Sequence, residues 1–365
     1  MNQMQNPSER TVARSGIELG IPGPSTRHFL SEAQITTGSG IKNLLGEVII
    51  PFKSRATTAL ITSRGDAIIG GEDRQLEIYK KGMSEPVRLN THRMVTALFE
   101  SPTSGRIFVG MNQGILAELV EDKLELNKSV LTVPTRKSWH TPWDKNDYDL
   151  HSFSETRGGR LFCAIHVGGV LVSEDKGSTW RQIQNGMDRI IRTEGGEFDI
   201  RQGAGLNPDV HQIKAHPTCE NVLLAATRDG FYVSEDGGKT FEPRNGDIVE
   251  TLGVKNYQRS LGIFPDKEIW LCATAEGPGA LDTSRLLRSK DQGRSWKEVM
   301  GIPTPAPHID SIECFRHGRA VALVGNSIFV SEDYGLNWSE LVNAPKDFYT
   351  DRRHHVVRPL LPGVG

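Results

Sequence analysis

Along most of the chain, apolar and polar residues alternate in short runs bounded by Gly, Asn, Asp and Pro. TALITS, DAIIGG, RQLEIYK and PVRLN form one set of such runs, and VTALFES, RIFVGM, GILAELV and LELNKSVLTV form the next. Period-two alternation over a few residues between turn formers predicts strands rather than helices. The sets of four recur, which predicts four-stranded antiparallel blades near 56–90, 93–134, 147–186, 207–248, 256–302 and 307–344. The tail HHVVRPLL reads as the first strand of another blade, which GIELGI, AQITTG or EVIIPF from residues 1–50 could complete. The expected fold is therefore all-β, a single β-propeller domain spanning 1–365. Seven blades are expected, with six as the alternative. N- and C-terminal strands would close the ring and leave no exposed edges.

An eight-residue pattern marks four of these blades. It reads SEDKGSTW at Ser173–Trp180, SEDGGKTF at Ser234–Phe241, SKDQGRSW at Ser289–Trp296 and SEDYGLNW at Ser331–Trp338. Its aspartates, Asp175, Asp236, Asp291 and Asp333, are separated by 61, 55 and 42 residues, about one blade plus a variable loop. Each copy follows an alternating strand and precedes another, which places it at a hairpin turn. There Asp can accept hydrogen bonds from its own turn, Gly can take a positive φ, and the aromatic residue can fill the space between sheets. The pattern resembles the Asp-box family, also called bacterial neuraminidase repeats, found in sialidases, some glucanases and many other propellers. The resemblance covers about residues 147–344 and implies a fold, because the box is a folding device throughout that family.

Composition narrows the class. The chain is 37% hydrophobic and 24% charged, with 38 glycines, which suits many short strands and tight turns. A formal net charge of −2 and the lack of any like-charge run or basic–aromatic stripe argue against a nucleic-acid partner. No apolar run reaches the length of a membrane span, and MNQMQNPSERTVARSG lacks the apolar core of a signal peptide. Cys163, Cys219, Cys272 and Cys314 are far apart, and three of them lie in apolar runs, as buried thiols would. A soluble, cytoplasmic protein without membrane association is the expectation.

Candidate chemistry lies at the face opposite the boxes. Innermost strands begin there and second strands end there. Aligning the blades on the first apolar residue of the innermost strand (Leu60, Leu98, Phe153, Ile213, Leu261, Ile312, Val357) puts Thr58, Thr96, His151, His211, Arg259, Asp310 and His355 two positions earlier. Asp149, Asp209 and His308 lie two residues further back, on the same side of the strand. The ends of second strands add Glu72, Asn112, His166, Arg228 and Glu276. Long loops contribute Trp139, His140 and Trp143 from 134–148, and Arg189, Arg192 and Arg201 from 186–206.

Three chemistries fit these residue types. His151, His211 and His355 could hold a divalent transition metal such as Zn, Mn, Fe or Cu, with Asp310 or His166 as a further ligand. The same groups could instead work without metal. Histidines near neutral pKa exchange protons, Asp310 serves as a base, and Arg228 with Arg259 holds a negative group. Trp139 and Trp143 could stack on a sugar, with Arg201 and Glu276 lining the same face. An enzyme acting on a small anionic or carbohydrate-like molecule by hydrolysis or elimination is the leading expectation. A non-catalytic scaffold that binds a protein or peptide on this face is the alternative. Sialidase activity comes third. The F/Y-R-I-P motif of sialidases is missing, and neither Tyr148 nor Tyr257 has an evident Glu partner.

Overall fold

A computed structural model describes residues 34–37, 40–43, 48–51, 56–83, 85–141, 144–146, 148–183, 187, 190–193, 196–199, 207–245, 248, 257–277 and 281–341. Before residue 52, over 190–199 and at 281 and 310, only the backbone is described. Six four-stranded antiparallel sheets follow one another along the chain. Their innermost strands are Ala56–Ile61, Val95–Glu100, Leu150–Glu155, Val210–Ala215, Tyr257–Ile263 and Ile309–Cys314, which begin blades one to six. In every blade, strands pair in chain order from the innermost outward, and each innermost strand lies beside the next. The blades keep the boundaries that the alternation implies, because both sheet faces pack against neighbouring blades and fix the register.

The expected count of seven needs correcting: six four-stranded blades are present among the described residues. The N-terminal segment pairs with itself as a three-stranded sheet, Gln34–Thr37, Gly40–Asn43 and Val48–Pro51, rather than contributing single strands. Gln34–Thr37 takes the place beside the innermost strand of blade one, the place expected for the tail. Residues 342–365 lie outside the described residues. The connection expected as a long loop at 186–206 contains a hairpin pair, Ile190–Thr193 with Gly196–Asp199.

Each Asp box sits at the turn from third to fourth strand. In the first, Ser173 Oγ donates to Asp175 Oδ1 at 2.8 Å, Thr179 N donates to the same oxygen at 2.8 Å, and Thr179 Oγ1 donates to Oδ2 at 2.6 Å. The other three boxes repeat these bonds, with Asn337 Nδ2 replacing the hydroxyl in the last. Gly177 has φ 91°, and a Cβ there would lie 2.3 Å from the Phe108 ring of blade two. Glycine is required at this site for both conformation and space. Trp180, Phe241, Trp296 and Trp338 are buried beside their boxes, and Trp180 Nε1 donates back to Gly177 O at 3.0 Å. The box is thus a turn whose Asp carboxylate is satisfied from within it.

Candidate active site

The innermost strands share one irregularity. In all six blades the register against the second strand slips by one residue, at Thr57, Thr96, His151, His211, Arg259 and Asp310. A bulge leaves one residue out of the ladder and re-aims its side chain. Five of these are the residues that the sequence alignment picked. Blade one differs: the bulged residue is Thr57, not Thr58. Its first apolar residue is the small Ala59, and the alignment skipped to Leu60. Thr57 Oγ1 donates to Val95 O at 2.6 Å, whereas Thr58 Oγ1 is buried without a hydrogen bond.

The bulged side chains stitch successive blades together. Thr57 reaches the carbonyl of Val95, Thr96 Oγ1 that of Leu150 at 2.7 Å, and His211 Nδ1 lies 2.6 Å from that of Gln258. In each case the acceptor precedes the next blade's bulge. Deeper along the strands, Ile213 N donates to Ser152 Oγ at 3.0 Å, Leu261 N to Gln212 Oε1 at 2.8 Å and Ile312 N to Ser260 Oγ at 2.9 Å. Lys214 of blade four pairs with Glu313 of blade six at 3.0 Å, tying together two blades that are not neighbours. Polar residues on the innermost strands are therefore part of the ring's construction as well as candidates for chemistry.

Blades three to five gather the titratable groups. The His151 and His166 rings stack with centroids 5.2 Å apart and planes 2° apart, and His211 lies 6.5 Å from His151. Between His166 and His211 sits Asp209, 4% exposed. Its Oδ1 is 3.6 Å from His166 Nε2, and its Oδ2 is 3.5 Å from His211 Nε2. Burial alone would push this carboxyl up. The positive potential of His166, His211 and His151, with a hydrogen bond from His211, outweighs burial and holds it well below the usual carboxylate range. His211 donates from Nδ1 to a carbonyl, so its Nε2 is the nitrogen that faces the carboxylate.

Blade five supplies the other half. The Tyr257 ring lies 5.0 Å from that of His211, and Arg259 Nη1 donates to Tyr257 Oη at 3.4 Å. Burial raises the Tyr257 pKa, and Asp209 adds to the rise while Arg259 and Arg228 oppose it, so the phenol keeps its proton at neutral pH. Arg228 follows the second strand of blade four, and its amide donates to Asp209 O at 3.0 Å. Both arginines are partly exposed. The site therefore combines an ionised carboxylate between imidazoles, a protonated phenol and two guanidinium groups.

The other expected residues fall elsewhere. Trp139 is 1% exposed, packed in the core of blades two and three with its indole N–H on Gln182, and so offers no ring face to a sugar. Its loop folds inward around a short helical turn, Pro134–Ser138, and Asn207 Nδ2 clamps Ser138 O at 2.9 Å. Glu276 is exposed at the end of its strand, away from the imidazoles in every contact described. Asp310 occupies the bulge of blade six, with only its backbone described. Trp143, Arg201 and His355 lie outside the described residues. Among the described residues no three His, Cys, Asp or Glu side chains converge as metal ligands. His151 and His166 stack face to face, and the expected metal set extends to His355, which lies outside the described residues. Two contributors were underrated from sequence. Asp209 enters the sequence reading only as the residue two positions before His211, and Tyr257 only against a missing Glu.

Comparison with known proteins bears on the fold. The BNR-Asp box repeat matches residues 328–341, the strand, box and return strand of blade six. No curated protein matches the chain in sequence. Among solved structures, the GH74 xyloglucanase from Xanthomonas campestris is similar at TM-score 0.55 and 14% identity, covering 84% of this chain and 46% of that one. An ancestral GH74 enzyme gives TM-score 0.58 and 13% identity, over 84% and 39%. The chain thus spans less than half the length of either enzyme. The Cps50 (Swd1) β-propeller domain of Myceliophteria thermophila gives TM-score 0.52 and 12% identity, over 80% and 89%. Four boxes stand at equivalent turns of four-stranded blades, one of them matched by the BNR-Asp box repeat, and the fold is that of an Asp-box β-propeller.

Proposed function

We propose that the chain is an enzyme whose site lies between blades three and five, acting on a small anionic or carbohydrate-like molecule by hydrolysis or elimination. The observation that carries this reading is Asp209, buried and ionised between His166 and His211 beside Tyr257 and Arg259. A structural carboxylate is normally saturated with hydrogen bonds, as the box aspartates are. Asp209 is instead set between two imidazoles from neighbouring blades.

The roles follow from chemistry. Arg259 and Arg228 hold the negative group of the substrate and favour charge that develops during reaction. The cluster of His166, His151 and Asp209 accepts a proton and shares the charge, while His211, held by Gln258 O at Nδ1 and facing Asp209 through Nε2, keeps the carboxylate in place. Tyr257 retains its proton and donates it to a departing oxygen. The likeness to GH74 enzymes is one of fold, and it accords with a carbohydrate-like substrate. A divalent metal is not needed for any of these steps.

Calorimetric titration with glucuronate, tartrate and succinate, against glucose as a neutral control, tests the site. Wild type binds at least one acid in preference to glucose, and Arg259→Ala weakens it by about tenfold or more. Equal binding of acids by wild type and Arg259→Ala would refute the assignment. One observation favours scaffolding instead. Two similar structures match over most of their own length, the Cps50 (Swd1) β-propeller domain and YCF48 bound to D1 peptide, the latter at TM-score 0.50 and 15% identity over 81% and 87%. Peptide binding that survives Arg259→Ala and Asp209→Asn, with no acid bound, would establish that alternative.

A further inference from the structure

The position just before the bulge is a core position. It is Ala56, Val95, Leu150, Val210 and Ile309 in blades one to four and six, all buried. Val95 and Leu150 pack there against Gly70 and Gly110 of the preceding blade's second strand. Blade five breaks the column. It places Gln258 there, 0% exposed, with neither Nε2 nor Oε1 hydrogen-bonded. A buried amide without partners is costly, and an aliphatic residue would serve the packing better. Such departures from a local rule concentrate at functional sites.

Gln258 stands between two residues of the site. Tyr257 precedes it, Arg259 follows it, and its own carbonyl accepts from His211. Asp209 Oδ1 is a second buried atom with no hydrogen bond. The unmet demand is thus two acceptors, Gln258 Oε1 and Asp209 Oδ1, and one donor, Gln258 Nε2. A bare carboxylate or phosphate satisfies only the donor. A hydroxyl both donates and accepts.

Resting on the proposed anion site, we infer that Gln258 is a specificity residue that reads a hydroxyl group on the ligand. The ligand class is a hydroxylated acid: its carboxylate lies on Arg259 and Arg228, and its hydroxyl reaches the covered amide of Gln258 through one water. A site built to bond a hydroxyl rejects the analogue lacking it far more strongly than a packing difference allows.

Acids differing by hydroxyl groups test this: tartrate against succinate, and lactate against propionate, titrated into the full chain. Wild type prefers the hydroxylated member by at least about tenfold. Gln258→Leu, which copies blade three, binds both members alike and melts at a higher temperature than wild type. Gln258→Glu retains an acceptor but loses the donor, and controls for a folding defect in the leucine variant by keeping shape; it too loses the preference. A preference that survives in both variants overturns the inference. So does an equal affinity for the two members in wild type, which leaves the anion site standing. Failure of every acid to bind wild type removes the anion site and this inference with it.

Discussion

The exposed or half-buried aspartates of the boxes and the buried Asp209 sit at opposite ends of the blades, and they differ in how their charge is met. At the box turns, Asp175, Asp236, Asp291 and Asp333 accept hydrogen bonds from their own turn. Slight burial raises their pKa, but bonds from hydroxyls and amides more than offset it, and Asp236 settles at about 2. At the other end, Asp209 is depressed by histidines instead. The first arrangement is local, repeated and self-contained. The second is assembled from three blades and occurs once among the described residues. A carboxylate satisfied by its own turn stabilises a fold. One held only by titratable neighbours across blades is poised for chemistry.

The sharpest way to break this contrast is to neutralise one aspartate of each kind. Asp209→Asn should lower kcat by about 10²–10⁴ while leaving the fold in place, since it removes the carboxylate from the proton-accepting cluster. Circular dichroism and a turnover assay together check this. Asp236→Ala should do the reverse. It loses bonds to Ser234, Lys239 and Thr240 and should cost about 2 kcal/mol of stability in denaturant unfolding, with turnover unchanged.

Acid should separate the two kinds next. A carboxyl whose folded pKa is depressed contributes stability above its unfolded pKa and loses it as pH falls through the folded value. The boxes are largely exposed, so each contribution is small, but four of them should shed stability together between about pH 4 and pH 2. Asp236→Ala should flatten that slope. An acid limb unchanged in a variant lacking two boxes would show that they carry none of it. The smallest expected effect distinguishes two neighbouring threonines. Thr57→Val should cost about 1 kcal/mol by breaking its bonds to Gly70 and Val95, whereas Thr58→Val should be neutral or slightly stabilising. The opposite order would move the bulge of blade one.

The blades were legible because alternation is strict where a strand is buried on both sides, and four boxes pinned the register of blades three to six. His151, His211 and Arg259 were legible for the same reason: a constant offset from the first core residue carried them. Blade one lacks a box, and its ATTALI run offers two threonines, so a small alanine was enough to shift the alignment by one. Trp139 was misjudged because an aromatic residue in a long loop looks alike in sequence whether the loop stands out or folds inward. The N-terminal sheet was obscured by short, weakly patterned strands, QITT and GIKN. Gln258 was visible all along as the single polar residue in an otherwise aliphatic column. Attention to the titratable bulge positions passed over it.

The most direct test is turnover of 4-nitrophenyl glycosides and 4-nitrophenyl uronides by wild type, Asp209→Asn and Asp236→Ala, with stability measured in parallel. The account predicts turnover of at least one probe by wild type, near-complete loss in Asp209→Asn without unfolding, and retention in a less stable Asp236→Ala. Equal activity in Asp209→Asn and wild type, or no activity from any of the three, would contradict it.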